Sequence, residues 1–205
     1  MSSVAKHINQ LSKGAIKPSH ITTVSLLGHF FVAWALYSSR PNVAALFIVV
    51  FGLMDALDGA LARVQNSATK LGMFYDAVTD RFKEIIIYSA LIFFTFQHTD
   101  AYIWAVPAVM GTSLLVSYVK AKGEMAVSHI HDKQALNRAF SSGFARYEIR
   151  MTLLVIGLVT GLLAPMLNLI IALNLATAAM RFIEIAQLLH VEDSQKHHTK
   201  VHGKS

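Results

Sequence analysis

The sequence predicts an all-α fold: an integral membrane bundle of six transmembrane helices, preceded by a short interfacial helix. Three observations carry this expectation. Only 15% of the residues are charged while 54% are hydrophobic, and soluble domains carry about 25% charged residues. The deficit lies in long apolar runs that approach or exceed the roughly 20 residues needed to cross a bilayer. The basic residues then collect between alternate runs: Lys6, Lys13, Lys17, Arg63, Lys70, Lys120, Lys122, Lys133, Arg138, Arg146, Arg150, Lys196, Lys200 and Lys204 fall on one side, and the opposite side offers only Arg40.

In chain order, residues 1–19 form a polar juxtamembrane segment without the apolar core of a signal peptide. From Ser2 to Lys17, Val4, Ile8, Leu11 and Ile16 fall near one helical face with Lys6 and Lys13 off it, the pattern of a helix lying on the cytoplasmic leaflet. Residues 20–190 form the bundle, with spans at 21–39, 42–62, 73–97, 101–121, 151–164 and 166–189. The fifth is short and is expected to begin earlier, near Arg146. Ser39-Arg40-Pro41, His98-Thr99-Asp100 and Ala164-Pro165 read as tight hairpins on one side. Residues 191–205 read as a polar tail whose His197, His198 and His202 are solvated, and His129 and His131 sit in a loop with no role assigned. By the positive-inside rule both termini are cytoplasmic in a multi-pass protein of the cell membrane.

The formal charge of +6 sits mostly in the loops, which suits an anionic membrane surface rather than nucleic acid. The absence of cysteine excludes a disulfide framework and any thiolate metal site.

Spans two and three carry Asp55, Asp58, Asp76 and Asp80, with Arg63, Arg81, Lys83 and Glu84 close by. An aspartate at a helix centre costs roughly 2.5–3.5 kcal/mol to insert, so an intramembrane carboxylate points to function. Spacings of three and four residues put each pair on one helix face. The polar stretch from Val64 to Lys70 lets the two helices return antiparallel, which brings the pairs together near the cytoplasmic surface. Carboxylates without His or Cys suit Mg²⁺ or Mn²⁺, and one or two such ions would neutralise the cluster and polarise phosphoryl oxygens. Gly59, Ala60 and Ala62 after Asp58, and Gly72 one turn before Asp76, leave room for a bulky ligand or for helix packing. Arg63 is spaced to meet a phosphate.

The run Asp55-x-x-Asp58-Gly59-x-x-Ala62-Arg63-x8-Gly72-x3-Asp76-x3-Asp80 resembles the signature of the CDP-alcohol phosphotransferase family at every defining position. The resemblance implies that Asp55, Asp58 and Asp76 hold metal, with two ions the expected number. It implies that Asp80 joins them and serves as general base, and that Gly59, Ala62 and Arg63, with Gly72 beside them, bind the CDP moiety of CDP-diacylglycerol or a related CDP-lipid. Homodimers occur in that family, and the resemblance implies one here.

A second cluster bears on the acceptor. Ser117, Lys120 and Lys122 end span four, Arg146 and Arg150 begin span five, and Arg181 lies deep in span six. An arginine inside a span faces a partner or a wet cavity; Glu184, three residues on, is one candidate. A pocket of such residues favours a small alcohol bearing its own phosphate. It resembles the acceptor pocket of the bacterial phosphatidylinositol phosphate synthases, where Ser117, Lys120, Arg150 and Arg181 match. Lys122 stands where Arg is usual, Ser19 where Asn or Asp is common, and Ile149 where Glu is usual. The resemblance implies inositol 1-phosphate as acceptor, with glycerol 3-phosphate or an archaeal ether-lipid reaction as alternatives. A cation transporter would explain the aspartates but not Arg63 beside them.

Overall fold

The computed structural model describes residues 1–98, 103–127 and 145–202. The expected turn at Thr99-Asp100, together with His129, His131, Lys133 and Arg138, lies outside the described residues, as do the side chains of His197, His198 and His202. The described residues form seven helices: α1 (Ser2–Leu11), α2 (Pro18–Tyr37), α3 (Pro41–Val64), α4 (Lys70–His98), α5 (Ala105–Ala126), α6 (Tyr147–Thr160) and α7 (Leu163–His202).

Local chemistry explains the boundaries. Pro18 and Pro41 open α2 and α3 at their first positions, where the missing N–H is no loss. Asn66, at φ 49, turns the chain between α3 and α4, and Arg146 caps α6, as its expected early start requires. Three expectations change. The leader helix stops at Leu11 rather than reaching Lys17, because Lys13 and Gly14 take left-handed conformations (φ 49 and 78). The turn into α7 lies at Gly161 (φ 73) rather than at Ala164-Pro165; Pro165 falls inside the first turn of α7, where it is tolerated. The last helix does not end at residue 189 but continues to His202.

Helices α2, α3 and the Leu163–Val191 stretch of α7 are long and apolar enough to cross a membrane. The 14 residues of α6 rise only about 21 Å, short of the roughly 30 Å of bilayer hydrocarbon. Helix α2 packs on α3 and α4, α5 and α6 on α7, and α6 on α3. Val32, Leu36, Ile48, Ile87, Leu91, Val106, Leu154, Leu167 and Ile170 are buried in one shared core. Gly28 lets α3 come close: a Cβ there would stand 2.2 Å from the Phe51 ring. Buried polar groups bond across helices, as Asn174 Nδ2 does to Thr112 Oγ1 at 3.0 Å; such links contribute about 0.6–2 kcal/mol each in lipid.

Phe30, Phe31, Trp34, Leu46, Leu53, Phe96, Val159 and Phe182 are exposed. In water this much exposed apolar surface would drive association; in lipid it is the ordinary outer face of a bundle. Helix α1 rests against the end of α3 through buried Ala5, Ile21, Ala60 and Leu61, and Gln65 Nε2 donates to Asn9 Oδ1 at 2.9 Å and to Ile16 O at 2.8 Å.

Candidate active site

At the end of the bundle where α3 turns into α4, a cleft of about 150 Å³ opens. Helix α2 contributes Pro18, Ser19 and Thr22, α3 contributes Asp58, Gly59 and Ala62, the turn contributes Ser67, Ala68 and Thr69, and α4 contributes Gly72, Met73, Tyr75 and Asp76. Five positions of the sequence motif therefore share one wall. Asp58 is buried, and Thr22 Oγ1 donates to its Oδ2 at 2.5 Å. The hydroxyls of Thr23 and Tyr75 lie 2.9 Å apart, which ties α2 to α4 beside the cleft. Thr69 Oγ1 accepts from Gly72 N at 3.0 Å and so satisfies an open donor in the first turn of α4. Arg63 Nη1 lies 3.9 Å from where a Gly59 Cβ would stand, so the guanidinium overhangs the face that glycine leaves bare.

The other two aspartates do not line the cleft. Lys83, fully buried, donates from Nζ to Asp55 Oδ1 at 2.7 Å and to Asp80 Oδ1 at 3.1 Å. The ammonium thus bridges α3 and α4 between the two carboxylates. Among the described residues no group of three His, Cys, Asp or Glu side chains stands ready around one point. The four carboxylates thus comprise a cleft pair, Asp58 and Asp76, and a lysine-bridged pair, Asp55 and Asp80. The donor set still suits a hard divalent cation: it is all carboxylate oxygen, and Asp55 Oδ2 is buried without a hydrogen-bond partner.

A second network lies deeper. Glu84, buried on α4, accepts from Arg81 Nη1 at 2.6 Å, from Ser113 Oγ at 2.7 Å and from Arg150 Nη2 at 2.5 Å. Arg150 also donates to Ala145 O at 2.6 Å. Arg150, expected in an acceptor pocket, is thus buried and held by an acid. The remaining basic residues spread out: Lys120 pairs with Glu124 at 3.8 Å, Lys122 lies 5.9 Å from the Tyr118 ring centroid, and Arg146 is exposed at the start of α6. Ser117 Oγ donates to Ser113 O at 3.3 Å, and half-buried Arg181 donates from Nη1 to Val116 O at 3.3 Å. Sequence reading gave no role to Thr22, Lys83, Glu84 or Ser113. Lys83 and Glu84 left a signal, charges three and four residues after Asp80 on the same helix face.

Residues 15–180 match the family model described as CDP-alcohol phosphatidyltransferase. The chain belongs to the CDP-alcohol phosphatidyltransferase family. The chain spans less than two thirds of the length of most of the named relatives it matches, and its fold has solved counterparts. A phosphatidylinositol phosphate synthase of Mycobacterium tuberculosis with CDP-DAG bound aligns with a TM-score of 0.74 at 20% identity, over 90% of this chain and 92% of that one. The same synthase in complex with manganese and citrate also gives 0.74 at 20% identity, over 90% and 88% of the two chains. By sequence, the phosphatidylinositol phosphate synthase of Corynebacterium glutamicum is 30% identical over 53% of this chain and 52% of its own length. The archaetidylinositol phosphate synthase of Pyrococcus horikoshii is 30% identical over 58% and 61%. The bifunctional IPC transferase and DIPP synthase of Aquifex aeolicus is 33% identical, but the match spans 49% of this chain and only 23% of that protein.

Proposed function

We infer that this transferase moves a phosphatidyl-type group from CDP-diacylglycerol, or a related CDP-lipid, to a hydroxyl of inositol 1-phosphate, with release of CMP. The observation that carries this reading is the cleft whose wall joins Asp58, Gly59, Ala62, Gly72 and Asp76, the motif positions assigned to the CDP-lipid and its metal. For the acceptor, the names of two relatives, one phosphatidyl and one archaetidyl, share inositol phosphate and differ in the lipid.

Asp58 and Asp76, with Asp55 and Asp80 behind them, would hold Mg²⁺ or Mn²⁺, which when bound neutralises charge on the phosphoryl oxygens. Thr22 fixes the rotamer of Asp58 by occupying one of its oxygens. Bare Gly59 and small Ala62 let the nucleotide approach the backbone of α3, and Arg63 meets its phosphate. Asp80 takes the proton of the acceptor hydroxyl as that oxygen bonds to the lipid-side phosphorus. The bond from that phosphorus to the CMP oxygen breaks, and CMP departs with the electron pair. Arg181, with Lys120 and Lys122, faces the acceptor phosphate, while Arg150 supports the pocket from behind through Glu84.

The same reading takes α2 to α7 as six crossings, α1 as an interfacial helix, both termini and the site as cytoplasmic, and the protein as a homodimer. The test is an acceptor screen. Purified protein with CDP-diacylglycerol and Mg²⁺ is assayed for CMP with inositol 1-phosphate, inositol, glycerol 3-phosphate or serine. CMP release that depends on inositol 1-phosphate is expected. Release only with glycerol 3-phosphate would move the acceptor, and no release with any alcohol would end the reading.

A further inference from the structure

Lys83 is an unusual neighbour for a metal site. Its side chain has no exposed surface, and its ammonium sits between Asp55 Oδ1 and Asp80 Oδ1 at 2.7 and 3.1 Å. Four carboxylates without it would leave room and charge for two divalent ions. With it, Asp55 and Asp80 already share a cation that the chain itself supplies. The two that line the open cleft are Asp58 and Asp76, whose combined charge one divalent ion balances. Asp55 still has its buried Oδ2 without a partner, an oxygen left over for that same ion while Oδ1 stays with the lysine. A second ion between Asp55 and Asp80 would have to expel a buried ammonium from two ion pairs. Uncovering such a charge without a partner is costly.

We propose that Lys83 takes the place of a second metal ion, so that this chain works with one divalent cation per protomer. The proposal rests on the metal-dependent reading above and concerns ion number, which that reading leaves open. The lysine is then a positioning residue: it holds Asp55 and Asp80 across α3 and α4 and leaves the cleft pair to the exchangeable ion.

The test counts ions rather than turnover. Full-length protein in detergent is titrated with Mn²⁺ by calorimetry, and bound Mn²⁺ is counted independently by electron paramagnetic resonance. The wild type is expected to take up one Mn²⁺ per chain. Lys83→Met, which keeps the length and apolar stem but removes the charge, is expected to take up two, and Lys83→Arg one. Two ions in the wild type would overturn the proposal even if the methionine variant failed to fold. A folded Lys83→Met protein that still binds one ion would overturn it as well. No Mn²⁺ bound by the wild type would instead remove the metal-dependent reading on which it stands.

Discussion

The two polar regions of the bundle are built by different means. The aspartate region draws its chemistry from two consecutive antiparallel helices and the short turn between them. Asp58, Gly59 and Ala62 reach the cleft from α3, and Gly72 and Asp76 reach it from α4. The basic region draws on α5, α6 and α7, which are far apart in sequence. Spacing of three and four residues fixes a helix face regardless of what packs outside it. Whether Arg150 faces a pocket or an acid depends on which helix lies opposite. The acid proved to be Glu84, 66 residues earlier. Local periodicity carries information about the first region and little about the second.

The contrast predicts sharply different outcomes for charge removal. In the cleft the effect should be catalytic and large. Asp58→Asn and Asp76→Asn should each reduce CMP formation at saturating Mg²⁺ by at least about 100-fold, since loss of even an outer partner of a metal ligand costs 10–100-fold. Both proteins should still insert and purify normally. Near-normal turnover in either would remove the metal role. Asp80→Asn should lower kcat by roughly 10²–10⁴-fold, the usual contribution of a positioned base, and leave the KM for the CDP-lipid nearly unchanged. A collapse of donor binding with kcat preserved would make Asp80 a donor ligand instead.

In the deeper network the effect should be structural. Glu84→Ala leaves Arg150 buried without its anion, and breaking a buried pair in this way costs about 3–5 kcal/mol. Its thermal unfolding in detergent should therefore fall well below that of the wild type. Arg150→Ala should destabilise in the same direction but less, because Arg81 and Ser113 still serve Glu84. A stable Arg150→Ala protein with a raised acceptor KM would place Arg150 in the acceptor pocket itself rather than behind it.

The all-α class, the turn between Val64 and Lys70 and the start of α6 near Arg146 were legible because each rests on local chemistry: apolar runs, a polar stretch between two of them, and a fifth run too short to begin where its apolar residues do. The full extent of α7 was not, because polarity ends a membrane span but does not end a helix. Within the site, the motif residues were legible from spacing. Thr22 was not, because its bond to Asp58 crosses between helices 36 residues apart. Lys83 stood in plain view as a charge inside an apolar run. Its role depends on Asp55 lying opposite, and that follows only from the register of α3 against α4.

Arg181 is where the comparison between the regions can be sharpened most finely, since its expected effect is the smallest and the most specific. It is half-buried on α7, with Nη1 donating to the carbonyl of Val116 at 3.3 Å. That contact holds the guanidinium against α5, close in sequence to Ser117 and Lys120. An arginine carries five donors in a planar fork, so the group can be held by α5 and also meet a phosphate. A hydrogen bond to a charged group contributes about 1.5–3 kcal/mol, which corresponds to roughly a ten- to hundredfold rise in the KM for inositol 1-phosphate in Arg181→Ala. The KM for CDP-diacylglycerol should stay nearly unchanged, because the motif positions assigned to the CDP-lipid lie on α3 and α4 and Arg181 is not among them. The competing role, a partner for Glu184 three residues on, predicts a loss of thermal stability with acceptor kinetics intact. Acceptor KM and unfolding temperature measured on the same preparation separate the two. A stable variant with wild-type acceptor KM would remove Arg181 from the pocket, and with it the strongest residue-level reason to expect a phosphorylated acceptor.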